Sequence, residues 1–187
     1  TLDRLAGLGE HRLRWPLGDK AETERRCLAQ VDALVCLGSS AMAWLSQAPA
    51  RSPWTSWAVA FALGCIEGRE ALASIHDHVC RLGPAQREHR RRAAEAFAAT
   101  FNPHVIPLAR ACLATPGSEP FALELLALRG HLGPADLEGW LARPDPEIRA
   151  VALRASTRLP APPANVSRLE ALLDTADPDQ AWEAARA

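Results

Sequence analysis

Apolar residues spaced three and four positions apart recur along most of the chain, and this pattern predicts helices. The clearest case follows Asp145, which is expected to cap a helix that has Pro146 in its first position. Pro160 is expected to end that helix, because proline lacks the N–H that the helix needs. Its predicted buried face holds Ile148, Val151, Ala152, Ala155 and Leu159.

The same periodicity, divided by Gly, Pro and Asn-Pro breaks, predicts a chain made of helices. The predicted helices span residues 21–37, 41–47, 53–64, 67–82, 84–101, 104–114, 121–132, 135–142, 166–173 and 180–186. Residues 1–20 are the least regular and are predicted to form an irregular lead, with room for a short helix over 2–8. The helix over 21–37 is expected to bury Cys27, Leu28, Val31, Leu34 and Val35.

Several of these segments resemble one another at intervals of roughly 27–36 residues. Residues 57–64 resemble 92–99, 121–128 resemble 148–155, and 145–153 resemble 177–185. A two-helix unit of this size cannot bury its apolar face alone, so neighbouring units must stack. The sequence therefore predicts an all-α fold, an α-solenoid of about five stacked helical hairpins over residues 21–187. Because the chain begins at Thr1 and ends inside a predicted helix, this domain is expected to continue beyond Ala187.

One stretch resembles a known repeat family. The run Asp-Pro-Glu-Ile-Arg-Ala-Val-Ala-Leu-Arg-Ala at 145–155 resembles the second helix of a HEAT repeat, in which an Asp-Pro turn precedes an aliphatic residue, an Arg and small residues. Residues 177–187 show a shorter likeness, and residues 119–132 lack the Arg. The whole chain is also similar to an uncharacterised bacterial family of HEAT-like proteins. This resemblance implies an armadillo-like solenoid whose second helices line a concave face, and it implies no particular activity.

Composition narrows the class of protein further. Hydrophobic residues make up 48% and charged residues 23%, enough for a sizeable core. The net charge of −1 gives no overall attraction to nucleic acid or anionic lipid. Five cysteines without paired spacing are typical of reduced thiols, and no apolar run is long enough to span a bilayer. We therefore expect a cytoplasmic protein that has no membrane partner.

Candidate chemistry is sparse. His76 and Cys80 lie four residues apart, so a helix would place them on one face, where they could share a metal. His78 would point elsewhere and His89 lies across the turn at 83–84, so the alternative is polar side chains near a helix end. No phosphate-binding loop, nucleophile elbow or carboxylate pair is visible in the sequence. We expect no enzymatic activity, no cofactor and no metal.

A protein–protein interaction scaffold is therefore the predicted function, and Trp57 is expected in the core while Trp54 is expected at the surface. The candidate partner-binding residues are Arg149, Arg154, Trp54, Arg87, Arg90 and Arg91. One alternative is a nucleic-acid-binding repeat protein that resembles HEAT-like DNA glycosylases, based on the arginines at 87–92 and opposed by Asp77, Glu88 and Glu95. A metal-dependent enzyme is the other alternative.

Overall fold

The computed structural model describes residues 2–14, 20–66 and 68–158, and these residues form helices and connecting turns without a strand. The α-helices are α1 Leu2–Arg14, α2 Lys20–Val35, α3 Ser39–Ser46, α4 Pro53–Gly64, α5 Arg69–Cys80, α6 Arg87–Ala98, α7 Val105–Leu113, α8 Glu119–Leu128, α9 Pro134–Leu141 and α10 Pro146–Ser156, and a short 3-10 helix spans Pro84–Gln86. The predicted all-helical class is confirmed. The helices predicted at 166–173 and 180–186 and the repeat at 177–187 lie outside the described residues.

The start of the chain forms a helix over Leu2–Arg14, which includes the short helix allowed at 2–8 and extends beyond it. Leu2, Leu5 and Ala6 are buried, and α1 packs against α2 and α4. Gly9 permits this contact, because a Cβ atom there would lie 2.5 Å from the ring of Trp57. The few apolar residues of α1 are enough to form the helix because α4 covers the face on which they lie.

The chain divides into two compact units, Thr1–Leu108 and Ala109–Ala187, and α7 contains the division. In the first unit α4 is central, since it contacts α1, α2, α3, α5 and α6. Helix α4 is apolar around its whole circumference, as expected for a helix enclosed by others. Its N-terminus is capped by Ser52, whose Oγ accepts a hydrogen bond of 3.2 Å from the Thr55 N–H.

In each unit, some helices pack against the helix two positions further along the chain. In the first unit α3 packs against α5 and α4 packs against α6, while in the second unit α10 packs against α8 and also against α9. The α4–α6 contact is close, because a Cβ atom at Gly64 would lie 2.7 Å from the Phe97 ring. Trp57 belongs to the core of the first unit, as predicted, and stacks on Phe61 at a centroid distance of 4.8 Å.

Helix α10 begins as predicted. Asp145 Oδ1 accepts hydrogen bonds from the N–H groups of Glu147 at 2.8 Å and Ile148 at 3.4 Å, which confirms the predicted cap. The predicted face is buried at Ile148, Val151, Ala152 and Ala155, and Leu159 lies outside the described residues. The cap and the apolar spacing together therefore define this helix.

Two details of the helices differ from the predictions. Helix α8 ends at Leu128 and not at 132, because Gly130 adopts a φ of +67° and the His131 N–H donates to the Leu126 carbonyl at 2.9 Å. On α2, Leu28 and Val35 are exposed, although Cys27, Val31 and Leu34 are buried as predicted. The buried face of α2 is thus narrower than its apolar residues indicate.

No individual helix in the described ranges is both long and apolar enough to cross a membrane. The segments Ala21–Val35 and Ser40–Ser46, which meet at 111°, pass the same length and composition test only as a bent pair.

Candidate partner-binding site

Trp44 lies at the edge of a surface cavity in the first unit. Its side chain is 52% exposed, although most large apolar residues of this unit are buried. The cavity has a volume of about 410 Å³, within the usual range of ligand pockets. Its polar lining comes from α1, the end of α3, the α3–α4 loop and the first turn of α4, and consists of Asp3, Gln47, Arg51 and Thr55.

The local sequence of α3 explains why Trp44 faces outward. Ala41 and Leu45 are fully buried, so they set the inner face of this short helix and leave Trp44 off that face. The end of α3 is held by Arg81, whose guanidinium donates a hydrogen bond to the Ser46 carbonyl. The position of the indole is therefore fixed by packing and by a backbone contact on both sides of it.

The cavity presents one acidic and one basic side chain. Asp3 and Arg51 are both exposed, and neither side chain makes a hydrogen bond or an ion pair with any described residue. The Thr55 hydroxyl, in contrast, lies 3.1 Å from Ser52 Oγ. An aromatic ring beside a carboxylate and a guanidinium can bind a peptide segment through apolar contact, cation–π contact and charge-assisted hydrogen bonds.

Trp54, the tryptophan predicted at the surface, is half-buried. One face of its ring is covered by Arg92. The Arg92 guanidinium lies 4.5 Å from the centroid of the ring. Arg92 Nη1 donates a hydrogen bond of 2.7 Å to Glu95 Oε2. Arg92 Nε lies 2.8 Å from Glu88 Oε1, but this contact is an ion pair and not a hydrogen bond, because the N–H does not point at the oxygen. Trp54 is therefore part of an ion-pair cluster on α4 and α6.

The arginines of α6 are largely occupied. Arg90 is only 4% exposed, and its Nη1 donates to the carbonyls of Leu82 and Gly83 at 2.9 Å each. The prediction that Arg90 binds a partner is wrong, because its buried guanidinium is hydrogen-bonded to the backbone that follows α5. Arg91 pairs with Glu88 at 3.3 Å and Glu95 at 3.2 Å. Arg87 is exposed. Within α6 two glutamates pair with Arg91 and Arg92, which lowers the positive charge available to phosphates along this helix.

The two candidate arginines of α10 also have intramolecular partners. Arg149 Nη1 donates to the carbonyls of Arg143 at 3.1 Å and Pro144 at 2.9 Å. Arg154 Nε lies 3.3 Å from Glu124 Oε2 and Arg158 Nη1 lies 3.0 Å from Glu124 Oε1. Glu124 is 1% exposed, so its carboxylate needs these cations. Both arginines are half-buried and support the fold of the second unit.

His76 and Cys80 share one face of α5, as predicted, with Cys80 Sγ 3.5 Å from His76 Nε2. Among the described residues no group of three metal-ligating side chains is placed to hold an ion. His78 points to a different side, where its Nε2 lies 3.2 Å from Ser56 Oγ inside the first unit. Within the described ranges, the α5 pair therefore supplies two possible ligands, fewer than a protein metal site needs.

Burial sets the protonation of two groups near α4. Burial, with the nearby charges of Arg81 and His89, lowers the pKa of His78 to about 4, so this imidazole is neutral at physiological pH. Burial, with the negative charge of Asp32, raises the pKa of the Cys65 thiol to about 11. Cys65 is therefore a protonated thiol and a poor nucleophile at neutral pH.

Comparison with known proteins assigns the chain to no family. No protein-family model, no curated protein and no solved structure matches it. The likeness of residues 145–155 to a HEAT helix therefore has only the sequence and the helix packing of this chain behind it.

Proposed function

We propose that this protein is a non-catalytic interaction scaffold that holds a segment of a partner protein in the Trp44 cavity. The observation that carries the proposal is the half-exposed indole of Trp44 beside the side chains of Asp3 and Arg51, which have no partner among the described residues. Tryptophan and arginine are enriched among the residues that dominate the free energy of protein association. The cavity offers both, with Trp44 from α3 and Arg51 from the α3–α4 loop.

The scaffold itself is proposed to be a HEAT-like solenoid of about five hairpins. In support, α3 pairs with α5, α4 with α6 and α8 with α10, and stacked hairpins produce such pairing. The Asp145 cap and the small buried residues of α10 also fit the second helix of such a repeat. Cysteines that are free thiols in the described residues fit a reducing, cytoplasmic setting.

The titratable groups that are described support a role in binding and not in catalysis. His78 is neutral, enclosed and engaged with Ser56, so it has no access to a substrate. The Cys65 thiol is protonated, and Glu124 is held by two guanidiniums. His78 and Glu124 therefore have structural partners, and the protonated Cys65 thiol is a poor nucleophile.

The proposal is tested by affinity capture from the native host with quantitative mass spectrometry. We expect Trp44→Ala to reduce recovery of the specific partner by more than about tenfold, since loss of such a residue typically costs 2 kcal/mol or more. Phe101→Ala is the matched control, because Phe101 is 99% exposed but does not line the cavity. The control is expected to recover the partner as the wild type does.

Equal recovery by the Trp44→Ala and Phe101→Ala proteins would remove the cavity as the binding site. A shift of labelled duplex DNA at low salt, without any specific protein partner, would favour the nucleic-acid alternative. Circular dichroism of both variants excludes misfolding as the cause of any loss, since both residues are at least half exposed.

A further inference from the structure

A second cavity lies between α1 and α2, apart from the residues that line the Trp44 cavity. Its volume is about 450 Å³. Arg4 and Gly7 contribute to it from α1, and Thr23, Arg26 and Gln30 contribute from α2. The described residues that line this cavity include two guanidiniums and no carboxylate, although the whole chain carries a net charge of −1.

The two arginines of the cavity have no partner in the part of the chain that the structure describes. Neither Arg4 nor Arg26 makes a hydrogen bond or an ion pair with any described residue. The adjacent Arg25 differs, since its Nη2 lies 3.1 Å from Glu22 Oε2. Arg4 and Arg26 therefore bring two positive charges, which no described carboxylate pairs with, from two helices to one cavity.

Thr23 adds a hydroxyl group to the wall of the cavity. The residue is only 6% exposed, yet its hydroxyl makes no hydrogen bond with any described residue. A hydroxyl in the cavity wall that bonds to no described residue can donate a hydrogen bond to a ligand oxygen. The Gln30 amide, which lines the same cavity, adds further N–H donors.

Gly7 leaves room for a ligand to approach these donors. A Cβ atom at Gly7 would meet no other atom within 4 Å, so the α1 wall is open at this point. The donors of the cavity thus face a space that a ligand of moderate size can enter.

From this arrangement we propose that the α1–α2 cavity binds the phosphate group of a phosphorylated peptide segment of the partner. A phosphomonoester carries a charge of about −1.5 to −2 at neutral pH, which matches two guanidiniums. Guanidinium groups bind phosphate oxygens in bidentate fashion, and hydroxyl and amide donors can serve the remaining oxygens. The proposal rests on the proposed scaffold function, because it names the chemistry of the partner.

A phosphomonoester fits this cavity better than the phosphodiester of a nucleic acid. Each phosphodiester carries a single negative charge, and a nucleic acid is bound along a track of basic residues. Here two cations share one cavity, and the arginines of α6 are offset by Glu88 and Glu95. The local charge therefore suits one doubly charged group.

The test uses a fluorescently labelled peptide with a central phosphoserine flanked by alanine and glycine, and it measures fluorescence anisotropy. Wild-type protein is expected to bind this peptide and to ignore the unphosphorylated form. Arg4→Met and Arg26→Met are each expected to weaken binding by about tenfold or more. Arg25→Met is the matched control on the same helix and is expected to leave binding unchanged, because Arg25 pairs with Glu22. Thr23→Val, which keeps the shape of the side chain, is expected to weaken binding several-fold.

Three results would overturn this proposal: equal binding of phosphorylated and unphosphorylated peptide, equal losses for Arg25→Met and Arg26→Met, or competition by inorganic phosphate as strong as that by unlabelled phosphopeptide. Tighter Arg4-dependent binding of duplex DNA would assign the cavity to nucleic acid instead. The Trp44→Ala protein keeps this cavity intact. If Trp44→Ala abolishes partner capture while the phosphopeptide fails to bind wild-type protein, the scaffold function stands and the phosphate proposal fails.

Discussion

At the scale of single residues, several arginines that were expected at the surface form hydrogen bonds and ion pairs within the fold. Arg90 was expected at a partner surface and is instead buried on backbone carbonyls of the segment after α5. Arg154 was expected there too and instead helps to neutralise Glu124. A sequence shows which residues are charged, but it does not show which carbonyl or carboxylate each will contact in the fold. The periodicity of apolar residues therefore could not predict these roles of Arg90 and Arg154.

His78 gives a prediction at this scale. Its pKa is 6.5 in an ordinary environment and about 4 in the fold, so the unfolded chain binds the proton more readily. His78 therefore contributes stability above pH 6.5 that is lost as the pH falls from 6.5 towards 4, by up to about 3 kcal/mol. Urea unfolding at pH 7.5 and 4.5 measures this loss.

The control for this experiment is His78→Gln, which does not titrate and can still hydrogen-bond to Ser56. Carboxylates titrate in the same pH range, but their contribution is shared by both proteins and cancels in the comparison. The free energy of unfolding of the variant should therefore fall less than that of the wild type. The same fall in both proteins would contradict the assigned role of His78.

At the scale of helices, close approach depends on small residues at particular positions. Gly7 and Gly9 lie two residues apart on α1 but have opposite surroundings. A Cβ atom at Gly9 would overlap the Trp57 ring, while one at Gly7 would meet nothing within 4 Å. Substitutions at these two glycines therefore distinguish the effect of helix propensity on stability from the effect of packing.

We predict that Gly7→Ala stabilises the protein by about 0.5–1 kcal/mol, since alanine favours helix over glycine. Gly9→Ala should instead destabilise it by about 1–3 kcal/mol, because the methyl group forces Trp57 or α1 to move. Thermal unfolding of both variants measures the difference. A stabilising Gly9→Ala would show that α1 does not pack on Trp57 as described.

The sequence predicted helices well where the chain marks their ends chemically. Asp145 with Pro146, and Ser52 with Pro53, placed the starts of α10 and α4, because the cap and the fixed φ of proline act locally. The end of α8 was misplaced because both Gly130 and Gly133 can end a helix, and local sequence does not show which of them adopts positive φ. A helix at the start of the chain was allowed only over 2–8, and its extent to Arg14 was missed because its buried face depends on α4.

The candidate site was less predictable than the helices. Trp44 lies one residue before the buried Leu45, and that spacing was the available signal for its exposure. Trp54 was preferred because it follows a proline at a helix start, but Arg92 comes from a distant part of the chain to cover it. Cavities between helices depend on such distant contacts, so their linings had to come from the structure.

At the scale of the whole molecule, the first compact unit is organised around α4. Five helices contact α4, and its central residues from Trp57 to Ala60 are buried. A helix enclosed in this way can lose its hydrogen bonds only when the surrounding helices separate. Helix α3 has fewer neighbours and carries the exposed Trp44.

Hydrogen exchange tests this organisation. Backbone amides of residues 57–63 are expected to exchange with the largest free energy of opening in the first unit, close to that of global unfolding. Amides of α3 serve as the internal control and should exchange at a lower free energy. Equal free energies of opening for the amides of α3 and α4 would mean that the first unit opens as a whole and that it is not organised around α4.

The exposure of Trp44 also has an optical consequence. The chain contains six tryptophans and no tyrosine, so its ultraviolet emission reports on indole rings alone. Trp57 is enclosed and stacked on Phe61, whereas Trp44 meets solvent at the rim of its cavity. Emission from Trp44 should therefore lie to the red of that from Trp57 and be quenched more readily by iodide. A partner segment that covers this indole would shift its emission to shorter wavelength, so the protein carries its own fluorescent reporter of occupancy.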